Sequence, residues 1–443
     1  MRNILLLLVA LPLCAQEALT LKEAVSIALI HNPAVAGAEA SAMAAGTRVT
    51  QARGGVLPKV NYAESFQRGD NPTFVFSSLL TQHQFGMENF NIGPLNRPDA
   101  LNNFQSQVSV DQTIYDAGQT RSAVKSAELA RSMSSEEQKR AKLTITSDAA
   151  RAYYGAVLAK EQLAVAEQAL RSAEADLKRA EAVRQAGMST DVDVLSIRVH
   201  LAAVNEQRIF RAADLDVANA TLNNVLGLPL DTAHALTTKL EPLQVRESEL
   251  TDLESGATKN RPEVLQTGFA KSMAQTQAHA ASNSMLPQVG FRAVFEADRQ
   301  RFINRGGTNW MAGVTLRWNI FNGGSDKAKI AEAGYLVRRA ELDEQRVDSA
   351  VRLQVRQAYA ALKAAGQRIE VARAAQAEAD ESLRITQNRY ESGMANVTDL
   401  LRNETAVLES HARYLMAVHD QRVAATMVES AAGRLTADSE VLN

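Results

Sequence analysis

Residues 118–186 and 325–391 each read as a single helix of unusual length, and no other feature constrains the fold so tightly. The first contains no Pro, and Gly155 is its only Gly past the opening residue. Within it Ala156, Ala159, Leu163, Ala166, Leu170, Ala173, Leu177 and Ala180 follow alternating steps of three and four. That is a heptad seam, and small residues alternating with Leu let neighbouring helices approach closely. The seam returns as Val351, Val355, Ala358, Leu362, Ala365, Ile369, Ala372, Gln376, Ala379 and Leu383. At a rise of ~1.5 Å per residue each helix would be on the order of 100 Å long. No compact domain needs a helix of that length, so something must be spanned.

The two helices are landmarks of a longer correspondence. Tyr115-Asp116-Ala117-Gly118 is answered by Phe321-Asn322-Gly323-Gly324, Ala152-Tyr153 by Ala358-Tyr359, Gly187-Met188 by Gly393-Met394, and Asp193 by Asp399, all at one offset. Upstream, Asn32-Pro33 answers Arg261-Pro262 and Leu57-Pro58 answers Leu286-Pro287 at a larger offset, which places an insertion between Pro58 and Tyr115. A constant register over so many landmarks indicates a tandem structural duplication. The first repeat covers 19–227: a helical segment, strands near 59–67 and 105–116, the long helix 118–186 and a helix over 190–226. Residues 228–260 connect the repeats. The second covers 261–433, with a helix over 262–284, strands near 287–298 and 309–321, the long helix 325–391 and a helix over 397–433, and a polar tail follows over 434–443.

Local signals support this division. Thr20 and Glu23 form a capping box ahead of a short amphipathic helix, Asn32-Pro33 breaks it, and Pro33 opens the next. Thr190 or Ser189 caps the helix after Gly187, with Asp191 and Asp193 in its first turn. Residues 68–103, rich in Asn, Gln, Pro and Phe, hold most of the insertion and read as a tolerant loop.

Arg2 followed by the apolar run Ile4–Leu11 reads as a secretory signal peptide over 1–15, with cleavage after Ala15. Cys14, the only cysteine, either leaves with that leader or carries a lipid; removal leaves a chain without disulfides. No other apolar run approaches the ~20 residues of a membrane-spanning helix. An exported chain of this kind is either soluble or crosses the membrane as a β-barrel. With 48 basic and 50 acidic residues interspersed, the charge leaves no footprint for nucleic acid.

Four stretches switch to period two. Val60, Tyr62 and Phe66 alternate with polar neighbours, as do Val108, Val110 and Ile114. In the second half the alternation runs through Val289, Phe291, Ala293 and Phe295, and through Val314, Leu316, Trp318 and Ile320. Each run is about ten residues, the length of a tilted transmembrane strand with one lipid face and one wet face. Taken singly, each also suits a half-buried strand in a soluble sheet. Four strands cannot close a barrel with an aqueous lumen, and lipid does not tolerate open edges, so a barrel requires several copies of the chain.

Across its whole mature length the chain resembles the TolC-type outer-membrane efflux protein family. The resemblance is carried by Ala28-Leu29 with Asn32-Pro33, Ala281 with Leu286-Pro287, the turn pair Tyr115–Gly118 and Phe321–Gly324, Arg389-Tyr390-Glu391-Ser392-Gly393 with Asp399-Leu400-Leu401, and Ala431-Ala432-Gly433. It implies an α+β membrane protein in the bacterial outer membrane. In that arrangement a homotrimer builds a transmembrane β-barrel from four strands per protomer, continuous with a long α-helical coiled-coil tunnel through the periplasm. The duct would passively conduct substrates delivered by a periplasmic adaptor (a membrane fusion protein) and an inner-membrane RND, ABC or MFS pump. Outer-membrane lipid would surround the barrel, and residues 228–260 with the termini would girdle the tunnel. The turns Gly187-Met188 and Gly393-Met394 would then lie at the periplasmic tip where the adaptor docks. Asp399 matches an entrance-ring aspartate, Asp193 is its repeat mate, and Arg402 stands where the family has a second aspartate. Ala395 replaces a basic residue of the family's turn, so the closing network differs in detail. Both aspartates also suit plain helix N-terminal acids that favour the dipole.

No G-x-S-x-G, P-loop, dinucleotide fingerprint or H-E-x-x-H occurs, and none of the seven histidines is spaced i,i+4 with another. The sequence thus proposes no catalytic residue, no metal and no cofactor. A soluble periplasmic coiled-coil adaptor or scaffold is the alternative, but an adaptor carries one hairpin where this chain has two full repeats.

Overall fold

The computed structural model describes residues 17–187, 189–244, 249–303 and 306–442. The expected leader with Cys14 lies outside those residues, as does Met188 of the first turn.

Strand β1 (Glu17–Leu19) leads into helices α1 (Leu21–His31) and α2 (Pro33–Arg53). Thr20 and Glu23 close the capping box reciprocally, the Thr20 backbone N–H reaching Glu23 Oε2 at 2.9 Å. Strand β2 (Lys59–Gly69) is followed by α3 (Pro72–Thr81), α4 (Ile92–Asn96) and strand β3 (Leu101–Tyr115). Helix α5 (Gln119–Gln185) turns into α6 (Asp191–Leu226), then β4 (His234–Leu236), α7 (Leu250–Asn260) and α8 (Pro262–Asn283). Strands β5 (Gln288–Arg299) and β6 (Gly307–Arg317), α9 (Ser325–Glu391) and α10 (Val397–Ala431) complete the chain. Helices α5 and α9 are 67 residues each. Every residue of both heptad seams is buried or half-buried, the alanines Ala156, Ala159, Ala166, Ala173 and Ala180 fully so. Small side chains at these positions are what permit close helix contact.

Strands β2 and β3 run a few residues further into the insertion than expected, to Gly69 and from Leu101, and three other stretches depart from the expected boundaries. The insertion after β2 is not a bare loop: Asn71 caps the Thr73 and Phe74 amides and Pro72 opens α3, a start signal hidden in polar composition. Helix α7 forms inside the connector, burying Leu253 and Ala257. Strand β6 ends at Arg317, short of residue 321, because its neighbour begins at Gln288, which pairs with Arg317. Beyond that point Trp318 has no strand to join, and its indole N–H donates to the Met285 carbonyl at 3.1 Å.

The chain forms two units. Among the described residues, one comprises those up to Ser41 with Ser135–Gln266 and those from Gln345 onward; the other comprises those of Ala42–Ser134 and Thr267–Glu344. In the first, β1 and β4 pair in parallel, with Leu19 beside Leu236. Around them Leu21, Val25, Tyr153, Tyr154, Leu222, Leu226 and Val418 form the main core. The Tyr153 hydroxyl donates to the Leu19 carbonyl at 2.7 Å, and Arg422 lies over the Tyr154 ring at 5.8 Å.

The second unit holds an antiparallel sheet in the order β2-β3-β5-β6, so β2 and β6 carry its two free edges. Directly paired residues share a face. One row runs Tyr62, Val108, Phe295, Trp310 across all four strands; the adjacent row runs Ala63, Gln107, Glu296, Asn309. The first face is therefore apolar and the second polar. Although apolar, the first face is open: Trp310 is 78% exposed and Val314 66%. The apolar band is interrupted where Arg299 reaches Glu64 at 2.9 Å on the same face, with Phe66 and Phe104 beyond Glu64. Near that end Gln82 donates to Asn103, and Asn103 donates to buried Asp298 at 2.7 Å, so the chain following α3 is tied to the sheet. Among the described residues no helix is long and apolar enough to cross a membrane.

Candidate functional site

The turns α5–α6 and α9–α10 both belong to the first unit, and their apolar side chains meet. Ala180, Val194, Ile197 and Val397 are buried together, with Leu177, Tyr390 and Leu401 packed against them. The sequence-selected residues Gly187, Met394, Asp193 and Asp399 flank this cluster along the chain; Met188 lies outside the described residues.

Each long helix must stop abruptly for its successor to fold back. Gly187 and Gly393 adopt φ of +75° and +72°, the left-handed region that ends a helix without steric cost only in glycine. The Gly393 amide donates to Tyr390 O at 3.0 Å and the Met394 amide to Arg389 O at 2.8 Å, a Schellman closure. The Gly187 amide likewise donates to Arg184 O at 2.8 Å. Nothing lies within 4 Å of where a Cβ would sit on either glycine, so backbone conformation and not space selects the residue.

The helices that follow are capped differently. At α6, Thr190 accepts from the Asp193 amide, while the Asp193 carboxylate accepts from the Thr190 amide at 3.1 Å and hydroxyl at 2.8 Å. Ser189 adds a third donor at 3.0 Å. These bonds, the Thr190 amide foremost, hold the Asp193 carboxyl below the usual carboxylate range. At α10 the cap is Asn396, whose side chain accepts from the Asp399 amide at 2.8 Å. An amide cap asks nothing of the third residue's carboxylate. Among the described residues, neither the Asp399 carboxylate nor the Arg402 guanidinium has a hydrogen bond or ion pair, and Arg402 is exposed. Arg179 of α5 reaches Glu391 of α9 at 2.8 Å, so one ion pair joins the two long helices beside the turns.

Sequence reasoning missed a second group. Asp176 on α5, His200 on α6 and Glu404 on α10 line a cavity of about 500 Å³. Asp176 is 4% exposed. His200 Nε2 stands 3.2 Å from Glu404 Oε2, an ion-pair distance that falls off the line of a hydrogen bond. Burial, then the neighbouring Glu404, pushes the Asp176 carboxyl up to about 7. Burial pushes Glu404 the same way, but His200 and a hydrogen bond from Asp176 outweigh it and leave Glu404 below the ordinary range. The signal available in sequence was weak: Asp176 sits beside the seam positions Ala173, Leu177 and Ala180. Among the described residues no group of His, Cys, Asp or Glu is arranged to hold a metal.

Comparison with known proteins agrees with this architecture. The family model described as "Outer membrane efflux protein" matches residues 24–228 and 253–434. The chain is similar to the outer membrane efflux protein BepC of Brucella suis, 24% identical over 340 residues, 75% of this chain and 72% of that protein. It is also similar to the protein CyaE of Bordetella pertussis, 26% identical over 441 residues, 94% of this chain and 84% of that one. The fold resembles the crystal structure of the CmeC outer membrane channel of Campylobacter jejuni. There the TM-score is 0.80 at 16% identity, covering 95% of this chain and 87% of that one.

Proposed function

The chain belongs to the outer membrane efflux protein family, and from that membership we propose that it is the exit duct of a tripartite efflux or type I secretion system. Family and fold are those of channel proteins, and the protein resides in the bacterial outer membrane with a large periplasmic part. Three copies close a twelve-stranded barrel from their four-stranded sheets, and their long helices form the periplasmic passage. The chain itself arose by tandem duplication of one helix–strand–strand–helix–helix unit. Transport through the duct is passive: an inner-membrane RND, ABC or MFS pump supplies the energy, and a periplasmic adaptor couples the two.

One observation carries this reading: a sheet with an open apolar face, a polar opposite face and two unpaired edges. Water penalises the apolar face and lipid penalises the edges. Both costs vanish when copies join edge to edge, with the apolar face to lipid and the polar face lining water. Four strands are too few to close such a lumen, and twelve suffice for an aqueous channel.

Adaptor hairpins dock around Gly187, Met188, Gly393 and Met394. Asp399 from each copy forms a carboxylate ring that favours cations, with Arg402 beside it, and Asp193 borders the same opening. The entrance widens by movement of the helix pairs. The test is the migration and mass of protein extracted from outer-membrane fractions. A heat-modifiable, detergent-resistant trimer that conducts ions in a planar bilayer is the expected result. A soluble periplasmic monomer would overturn the reading, and the four strands would then form an ordinary sheet.

A further inference from the structure

The cavity between the two helical hairpins contains a chemistry that the duct reading does not require. Three titratable groups from three helices converge there: Asp176 of α5, His200 of α6 and Glu404 of α10. Two of them are carboxylates with little access to water, the Asp176 side chain at 5% and the Glu404 side chain at 11% exposure. Glu404 Oε2 is shut off from solvent without a hydrogen-bond partner. A pair of buried carboxylates is stable only while it shares a proton or faces a cation, because two bare charges in low dielectric repel strongly.

The surroundings supply that compensation only in part. On α5 itself Arg179 stands 3.8 Å from Asp176, but the same guanidinium is drawn to Glu391 of α9 at 2.8 Å. Glu391 therefore adds negative charge near the pair, and Tyr390 of α9 is the other titratable group that feels Asp176. On α6 the facing group is His200, a cation only when protonated. On α10, His411 lines the same cavity but is engaged by Asp380 at 2.9 Å. Protons are thus the compensating charge that this cluster lacks.

We propose that Asp176, Glu404 and His200 form a proton-operated latch that holds α5, α6 and α10 together and releases them as protons leave. The proposal deepens the duct reading, since these helices lead into the two turns at the entrance, and parting them loosens it. The direction follows from the groups' shifts. Asp176 titrates at about 7 in the folded protein against an ordinary 3.8, so helix contact is favoured by protons. That contribution is complete below 3.8 and is lost as pH rises through about 7. Glu404 is held below its ordinary 4.5 and acts in the opposite sense, but only on the acid side of that value, so Asp176 sets the behaviour near neutrality.

The experiment reads the helices directly. Spin labels on Lys178→Cys and Thr405→Cys report the α5–α10 distance by pulsed dipolar spectroscopy from about pH 5.5 to about pH 8.5, a range that brackets the Asp176 titration. The expected result is a distribution that widens and lengthens with a midpoint near neutrality. Asp176→Asn should abolish this titration and keep the compact distribution throughout. Glu404→Gln, which removes the neighbouring charge, should move the midpoint to lower pH; it decides the matter if the first variant fails to fold. A distribution that does not respond to pH in the native sequence, or that responds identically in both variants, overturns the latch. Ion conductance of the same samples separates the two readings. A titrating distance without conductance at any pH sustains the latch and refutes the duct.

Discussion

Asp193 and Asp399 hold the same third position in the helices that follow the two turns, yet only Asp193 folds back onto its cap. The cause is the cap residue three positions before each aspartate. Thr190 presents a hydroxyl that both accepts and donates, and its amide also seeks an acceptor, so the Asp193 carboxylate is consumed locally. Asn396 satisfies the first turn with its own carbonyl and leaves the Asp399 carboxylate available.

The two substitutions should therefore part company. Asp399→Asn is expected to reduce cation preference of the reconstituted channel without lowering stability. Asp193→Asn should leave ion preference unchanged but weaken the α6 cap, costing about 0.5–2 kcal/mol as caps generally do. Reversal-potential measurements and denaturant titration of both variants separate the outcomes. The Asp193 carboxyl titrates below its ordinary 3.8, so its contribution is present above that value and disappears as pH falls through the lowered one.

Replacing Gly393 by Ala tests the turn without touching any neighbour. With open space around the Cβ position, the cost is conformational alone, about 1–2 kcal/mol for a left-handed residue with a side chain. Faster limited proteolysis at this turn, with the rest of the chain protected, is the expected pattern; an unchanged digestion rate would show that the φ of +72° is not maintained.

On the sheet, Val314→Arg places a charge in the apolar face, opposite Phe291. At the midplane of a bilayer such a change costs ~2–4 kcal/mol, and much less near the interface. Thr315→Arg, one residue along on the polar face, should be tolerated. Equal folding yields for both in lipid vesicles would contradict the assignment of the faces.

Tyr153→Phe removes the hydroxyl that joins α5 to the Leu19 carbonyl and to Thr238. Thr237 still reaches the same carbonyl at 3.3 Å, so the loss should fall near the low end of the usual range, about 1 kcal/mol. A shift in the urea midpoint without a change in slope is the expected signature.

The helices were legible in sequence because their spacing repeats over many turns. Ala173, Leu177 and Ala180 announce a seam, and Gly187 and Gly393 announce its end. The four strands were legible from alternation, but their ends depend on partners: nothing within β6 itself says that Gln288 begins the neighbouring strand. Helix α3 was obscured because its start signal, Asn71-Pro72, lies among other Asn and Pro residues. The Asp176, His200 and Glu404 cluster was invisible because its members are far apart in the chain and each alone resembles an ordinary polar helix residue. The open carboxylate of Asp399 and the committed one of Asp193 could be told apart only when their caps were seen.

The free edges of the sheet belong to opposite halves of the chain, β2 to the first and β6 to the second. In the proposed trimer, the first-half edge strand of one polypeptide is completed by the second-half edge strand of another. A lesion in Lys59–Gly69 is then felt by a neighbour that carries none. In genetic terms the proposed trimer makes such lesions dominant: a cell making damaged and intact chains together would lose more function than the share of damaged chains alone predicts.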